Sequence, residues 1–254
     1  MKIVRFSYGN ETKHGILYKD AVQSIVGTPY GIIEAGSDTY RINEIKLLAP
    51  VVPSKIVALG LNYLSHAKEF NFTVPEVPLF FIKPSTSVIG PGDNIVYPSS
   101  SRQVDYEAEL GVVIKKPARY ISEKEARDYI LGYTCVNDVT ARDQQKKDGQ
   151  WTRAKSYDTF APIGPHIETD LNPENTIVES YLNGTLKQRA NTSDLIFSVP
   201  RLVSFISGVM TLLPGDIIAT GTPSGIGPMT PGDTIEVKIS GVGSLINHVV
   251  RSLH

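Results

Sequence analysis

Pro-Gly-Asp occurs three times in this chain, at residues 91–93, 214–216 and 231–233, and each copy is followed by a strand-like run: NIVYP, IIATG and TIEVKI. Proline sets the first corner of a β-turn and glycine accepts the positive φ of the second. Three such entries into strands point to a β-rich scaffold. Helix signals are few. One candidate runs from Ser122 to about Leu131 and opens with the capping box Ser122-x-x-Glu125; the other runs from Ser198 to about Leu213 and places apolar residues at helical spacing. Strands do not alternate regularly with helices, so a doubly wound sheet is not expected. The expected class is α+β, rich in β.

The first 48 residues read as short strands, KIVRFSY and HGILYKD, around the turn-rich GNETK, with too little apolar material for an independent core. Pro50 and Pro53 mark a junction. Residues 1–48 are therefore expected to form a small N-terminal domain docked on a larger one spanning 49–254.

The chain has 254 residues and a formal net charge of -1, which removes any global argument for nucleic-acid binding. Its short basic pairs, Lys115–Lys116 and Lys146–Lys147, read as solvated surface. No apolar run approaches a membrane span, and MKIVRFSYGNETKHGI lacks the apolar centre of a signal peptide, so a soluble cytoplasmic protein is expected. Cys135 is the single cysteine; it excludes an intrachain disulfide and a multi-cysteine metal site, and its setting suits a small core residue.

The stretch from Val104 to Ile114, VDYEAELGVVI, carries Glu107 and Glu109 two residues apart, hence on one face of a strand. A half-solvated edge strand would explain them. The apolar GVVI that follows, and a further acid in an apolar setting, Asp138 of GYTCVNDVTARD, favour convergence in a partly dry pocket. There the mutual repulsion of three carboxylates must be relieved by protonation or by a cation, most economically a hard divalent ion.

Other residues have chemical potential. His66 and Glu69 share a face if LSHAKE is helical, and a carboxylate beside an imidazole makes a general base; an exposed pair of no consequence has the same spacing. Arg142 lies four residues after Asp138 and suits a substrate carboxylate, or else a salt bridge with Asp143 or Asp138. Lys155 has apolar neighbours compatible with a partly buried ammonium or a snorkelling surface lysine. Gly221 and Thr222 end a strand in a glycine-rich loop able to bind an anion, although GTPSGIG lacks the ending of a phosphate-binding P-loop. FNFTVPEV, residues 70–77, is either a lid over substrate or an ordinary surface loop.

Seven segments in order span roughly residues 47–250: PSKIVALGLNYLSHAKE, FFIKPSTSVIGPGD, VDYEAELGVVI, GYTCVNDVTARD, AKSYDTFAPIGP, NTSDLIFSVPRLVSFIS and LLPGDIIATGTPSGIGP. Together they resemble the fumarylacetoacetate hydrolase family. The resemblance implies a mixed β-sandwich roll, a divalent Mg²⁺, Mn²⁺ or Ca²⁺ ion, a homodimer, and chemistry on 2-oxo acids or their enols. It implies that Glu107, Glu109 and Asp138 are the metal ligands, that His66 and Glu69 activate water, and that Lys155 contacts the reacting substrate. Arg142, Gln145 and Thr222 match positions that line the substrate pocket. IVALGLNYLS has no acid where the family's longer namesake has a further metal-binding aspartate, so the chain is more similar to short bacterial members. The activity implied first is hydrolytic carbon–carbon cleavage of an acylpyruvate such as fumarylpyruvate, in the breakdown of aromatic compounds. Isomerisation of 2-hydroxyhepta-2,4-diene-1,7-dioate and decarboxylation of oxaloacetate share the same enolate. The rival from another class is a non-catalytic protein that captures a keto acid through a metal.

Overall fold

In all three Pro-Gly-Asp turns the aspartate closes the turn twice. Its N–H donates to the carbonyl of the residue before the proline, at 3.3 Å for Asp93, 3.0 Å for Asp216 and 3.0 Å for Asp233. Its carboxylate then accepts the N–H of that same residue, Gly90, Leu213 or Thr230, at 2.9, 2.9 and 2.6 Å. The turn glycines have φ of 75°, 86° and 103°. Each turn feeds a strand: Asn94–Tyr97, Ile217–Ala219 and Thr234–Ile239.

A computed structural model describes residues 1–69 and 73–252, the side chains of His66 and Glu69 excepted; residues 70–72 of the candidate lid thus lie outside the described residues. The fold is predominantly β. Its largest sheet runs through the N-terminal strands Glu34–Arg41, Ala21–Val26, Glu11–Tyr18 and Lys2–Tyr8. It continues through Ala161–Glu168, Ile130–Asn137, Ala108–Ile114, Ile217–Ala219, Lys55–Leu59 and Phe80–Pro84. Lys2 pairs with Glu168 and Ile3 with Ile167, which joins the N-terminal strands to the rest. A five-stranded sheet made of Thr185–Asn191, Ile177–Leu182, Thr234–Ile239, Gly243–Arg251 and Asn94–Tyr97 packs against the large sheet. Most pairs are antiparallel, but Ile217–Ala219 runs parallel to Lys55–Leu59 and Gly243–Arg251 parallel to Asn94–Tyr97, so the sheets are mixed.

The strand Ala108–Ile114 lies between two layers. Leu110, Val112 and Ile114 enter the core shared with Val178, Val237 and Leu245 of the second sheet, while Val113 faces the opposite core with Ile56 and Ile163. Period-two alternation therefore puts Glu109, Gly111 and Val113 on one face, and that face is buried. Every residue from Val104 to Ile114 is buried, which removes the half-solvated reading. The expected single strand is nevertheless broken at Glu107. Val104–Tyr106 belongs to a separate three-stranded sheet, paired with Thr140–Ala141 and Gly227–Met229.

The two helix expectations fare differently. Val199–Val209 is helical, with Pro200 in its first turn and the Ser198 hydroxyl accepting from the Arg201 N–H at 3.4 Å. It buries Val199, Leu202, Val203 and Ile206. It stops short of Leu213 because Leu212 forms a two-way backbone bridge with Ala118, at 3.0 and 2.9 Å. From Ser122 onward only a 3₁₀ turn, Ala126–Tyr129, is present. Glu125 Oε2 accepts from the Ser122 N–H and hydroxyl at 2.9 and 2.6 Å, but Ile130 already pairs with Ile114, and sheet pairing takes the backbone groups a helix would need. Cys135 is buried as expected. Among the described residues, no helix is long and apolar enough to cross a membrane.

Asp216 also anchors the parallel strand pair. Fully buried, it accepts from the Ser54 N–H and hydroxyl, the Lys55 N–H and the Lys55 ammonium, at 3.0, 2.6, 3.2 and 2.5 Å. Asp216→Ala orphans these donors and is expected to lower unfolding free energy by about 3 kcal/mol, against about 1 kcal/mol for the half-buried Asp93 or Asp233. Urea unfolding of the three variants checks the ranking; equal losses would reduce Asp216 to an ordinary turn residue.

Candidate active site

Strand register brings the acids together. Ala108 pairs with Asn137, so one further step sets Glu107 against Asp138. At this break in the strand the Asp138 N–H donates to the Glu107 carbonyl at 2.9 Å, and the Glu107 N–H donates to Asn137 Oδ1 at 3.0 Å. On the other side Gly111 pairs with Ala219, and two further steps set Glu109 against Gly221. The Gly221 N–H donates to Glu109 Oε2 at 2.8 Å. One carboxylate oxygen from each of Glu107, Glu109 and Asp138 lies within 4.8 Å of the others, and all three residues are buried.

Three cations meet this cluster. Lys155, on the one-turn helix Thr152–Lys155, donates to Glu107 Oε2 at 2.8 Å and to Asp138 Oδ2 at 2.6 Å, with the Phe81 ring beneath it, 4.9 Å from its centroid. Lys83, fully buried on the strand Phe80–Pro84, donates to Asp138 Oδ1 at 2.5 Å. Arg142 opens the helix Arg142–Asp148 and spreads its fork over three acceptors: Asp105 at 2.8 Å, Gln145 Oε1 at 2.5 Å, and Glu107 Oε1.

These contacts separate the ionisation of the acids. Burial works against the charge on Glu107, but Lys155 and Arg142 hold its carboxyl down at about 2. Glu109 has no cation hydrogen-bonded to it among the described residues, and the pull of the Lys155 charge and the Gly221 N–H is outweighed. Burial first, then the Asp138 and Glu107 charges, push its carboxyl well above the usual range, and its Oε1 is buried without a hydrogen-bond partner among the described residues. Burial opposes the charge on Lys155 too, yet Asp138 and Glu107 together raise its pKa; burial lowers that of Lys83, with Asp138 opposing. Among the described residues, four carboxyl groups, Asp105, Glu107, Glu109 and Asp138, thus face three cations, Lys83, Arg142 and Lys155. Glu109 is the one whose charge the fold compensates least. An oxygen-rich cluster with an unsatisfied buried carboxylate oxygen has the donor chemistry of a hard divalent cation, so the residues fit such an ion.

Glu107, Arg142, Gln145, Lys155 and Thr222 line one cavity of about 500 Å³, with Trp151, Ile226 and Pro228 giving it an apolar wall. The Trp151 ring packs edge-on to Phe81 and lies so close to Gly60 that a Cβ there would meet it at 2.5 Å. The Thr222 hydroxyl donates to the Ala108 carbonyl and accepts from Gln188 Nε2, at 2.9 and 2.8 Å, while Gln188 Oε1 accepts the Ala108 N–H at 3.0 Å. Gly221 lies behind the cavity as the partner of Glu109. His66 and Glu69 belong to the helix Leu64–Glu69, but their side chains lie outside the described residues.

Gly221 has φ +99°, and a Cβ there would meet that of Asn62 at 2.8 Å. Gly221→Ala is therefore expected to lower stability by about 2 kcal/mol, read by urea unfolding. An unchanged midpoint would mean that the loop relaxes freely.

The model of the C-terminal domain of fumarylacetoacetate hydrolase matches residues 55–250. The chain belongs to the fumarylacetoacetate hydrolase family. An N-terminal family described as Rv2993c-like matches residues 1–50. Within the family, the chain is similar to the crystal structure of 5-carboxymethyl-2-hydroxymuconate delta-isomerase from Mycobacterium smegmatis, at 41% identity and a TM-score of 0.95, covering 99% of this chain and 100% of that one. It is 39% identical over 220 residues to the mitochondrial oxaloacetate tautomerase Fahd2a of Rattus norvegicus, covering 82% of this chain and 70% of that protein. The maleylpyruvate hydrolase of Sphingobium sp. SYK-6, solved with manganese(II) and pyruvate, aligns at 30% identity with a TM-score of 0.83, over 99% of this chain and 100% of that one. Fumarylacetoacetate hydrolase family members are thus enzymes acting on small molecules, and among these three they include an isomerase, a tautomerase and a hydrolase.

Several residues of this family site escape a sequence reading. Lys83 looks like a strand lysine, Asp105 is marked only by sharing the face of Glu107 and Glu109 in VDYEAELGVVI, and Trp151 and Gln188 carry no motif of their own. The alternation of FFIKP, which turns Lys83 away from Ile82, likewise hints at an inward-facing charge.

Proposed function

We propose that the chain is a divalent-metal-dependent enzyme that moves a proton beside the carbonyl of small 2-oxo dicarboxylic acids, interconverting keto and enol or dienoate forms. The observation that carries this reading is the buried trio Glu107, Glu109 and Asp138, with the unpartnered Glu109 oxygen, beside a cavity lined by Lys155. The three carboxylates would hold a Mg²⁺ or Mn²⁺ ion, which when bound supplies Lewis acidity to the oxygens of a 2-oxo acid. Formal charge among the described residues favours the same ligand: with all four carboxyl groups ionised, three cations leave the site at minus one, and a divalent ion would bring it to plus one, suited to an anionic substrate.

The side chains of this chain have separate tasks. Lys155 has three N–H donors and spends two on Glu107 and Asp138, leaving the third for a substrate oxygen on which negative charge develops. Arg142, from the cavity wall, and Lys83, fully buried, hold Glu107 and Asp138 in place. Gln145 and Thr222 border the cavity as neutral hydrogen-bonding groups. Trp151, Ile226 and Pro228 keep water from the substrate's hydrocarbon part. The similarity to an isomerase at 41% and to a tautomerase at 39% identity supports proton transfer as the first reading.

A second reading, hydrolytic cleavage of an acylpyruvate, is favoured by the His66–Glu69 spacing on the helix Leu64–Glu69, since that pair would activate the attacking water. The same assignment divides the chain into an N-terminal domain, 1–48, and a catalytic domain, 49–254, supported by the two family matches.

Enol-absorbance assays with oxaloacetate and a 2-hydroxydienedioate, beside cleavage assays with fumarylpyruvate and acetylpyruvate, test the proposal. Each is run with Mg²⁺ or Mn²⁺ and again with chelator. Metal-dependent interconversion of an enol without cleavage is expected. Rapid cleavage with the enols untouched would replace the first reading by the second, and silence on all four would overturn both.

A further inference from the structure

The helix Arg142–Asp148 carries a second cation on the face that borders the cavity. Arg142, Gln145 and Lys146 stand three and four residues apart, hence on one side of the helix, and all three line the cavity. The opposite side is pinned. The Asp143 carboxylate accepts from the Ser101 hydroxyl at 2.6 Å and the Arg102 N–H at 3.2 Å, and Gln144 donates to the Ser100 carbonyl at 2.6 Å. The helix therefore cannot rotate its cavity face away. At its inner end Arg142 is committed to Asp105, Glu107 and Gln145. Lys146, one turn outward, is exposed and has no ion-pair or hydrogen-bond partner among the described residues. Its neighbour Lys147 is also exposed and does not line the cavity.

We infer that Lys146 reads the distal carboxylate of a dicarboxylic substrate whose 2-oxo end lies at the Glu107–Lys155 end of the cavity. This rests on the 2-oxo-acid reading above and adds to it the residue that selects a dioate over a mono-acid. Four helical residues rise about 6 Å, a span suited to the two ends of a short dioate. Between the two charged ends run Trp151, Ile226 and Pro228, which match the hydrocarbon middle of such a molecule. The long lysine stem lets the ammonium reach over the cavity mouth while staying hydrated until substrate arrives. A basic pair that reads as solvated surface in the sequence is thereby divided, with one lysine on the cavity and the other on solvent.

The test compares two acids of equal length, 2-oxoadipate and 2-oxohexanoate, which differ by the distal carboxylate. Binding to the full chain saturated with Mg²⁺ is measured by titration calorimetry, independently of which reaction is catalysed. Wild type is expected to prefer 2-oxoadipate by about fivefold at low salt, the preference shrinking as salt is added. Lys146→Met should erase the preference by weakening 2-oxoadipate binding, and Lys147→Met should preserve it. A preference that survives Lys146→Met, or is lost equally in Lys147→Met, overturns the inference. Binding of both acids with equal affinity by wild type also overturns it, removing the preference for dicarboxylic acids while leaving recognition of the 2-oxo-acid end intact. Binding of neither overturns that reading and the inference with it.

Discussion

Glutamine in place of Glu109 is expected to weaken Mn²⁺ binding by at least about 100-fold while leaving the metal-free protein no less stable than wild type. The two effects have one origin. Glu109 is fully buried, has only the Gly221 N–H as a hydrogen-bond partner among the described residues, and has a carboxylate oxygen within 4.8 Å of the Glu107 and Asp138 oxygens. Its negative charge is therefore unfavourable in the fold alone and useful only toward a cation. Glutamine preserves an acceptor for Gly221 and places an amide donor where the unpartnered oxygen stands, beside two carboxylates able to accept it. Calorimetric titration with Mn²⁺ and urea unfolding in chelator measure the two effects on the same preparation. Unchanged Mn²⁺ affinity would remove Glu109 from the ligand set. A large loss of metal-free stability would mean that its charge is already balanced within the fold.

Lys155→Met should act in the opposite sense on the fold. The ammonium bridges Glu107 and Asp138, and both carboxylates remain buried without it. Breaking one side of such a buried cluster is expected to cost about 3 kcal/mol in chelator, at the lower end of the usual range because Arg142 and Lys83 each retain a contact to one of the acids. Saturating Mn²⁺ should recover part of that loss, since a ligand that binds only the folded state stabilises it by mass action. Turnover should fall by at least about 100-fold, through kcat more than KM, if the third N–H meets charge that develops in the transition state. Thermal melts with and without chelator, and kcat and KM for whichever of the four assayed compounds is turned over, separate the two roles. Lost stability with kcat intact would make Lys155 a counter-ion to the acids and nothing more.

Much of this protein can be read one residue at a time. The three Pro-Gly-Asp turns, the N-cap at Ser198 and the alternation in AELGVVI depend on φ preferences, short-range hydrogen bonds and side-chain direction, all of which act across a few neighbouring residues. The ordered motifs likewise marked the residue types gathered at the site, including Glu107, Glu109, Asp138, Arg142 and Lys155. Even at short range the reading failed where distant pairing competed: the capping box at Ser122 starts only a turn because Ile130 is claimed by Ile114.

By itself the sequence determined the β-rich class, the places where the chain turns and the set of acids available to a cation. Tertiary structure alone decided that Glu107 faces Asp138, that Glu109 answers to Gly221 across 112 residues, and that Lys83 reaches Asp138 across 55. It also turned Arg142 onto Asp105 and Glu107 and left Lys146 facing the cavity without a partner among the described residues. The physical reason is range. Turns and caps are settled by neighbouring atoms, whereas charge pairing in a buried site is settled by strand register and by which side chains are excluded from water, properties the chain acquires only when the sheets close.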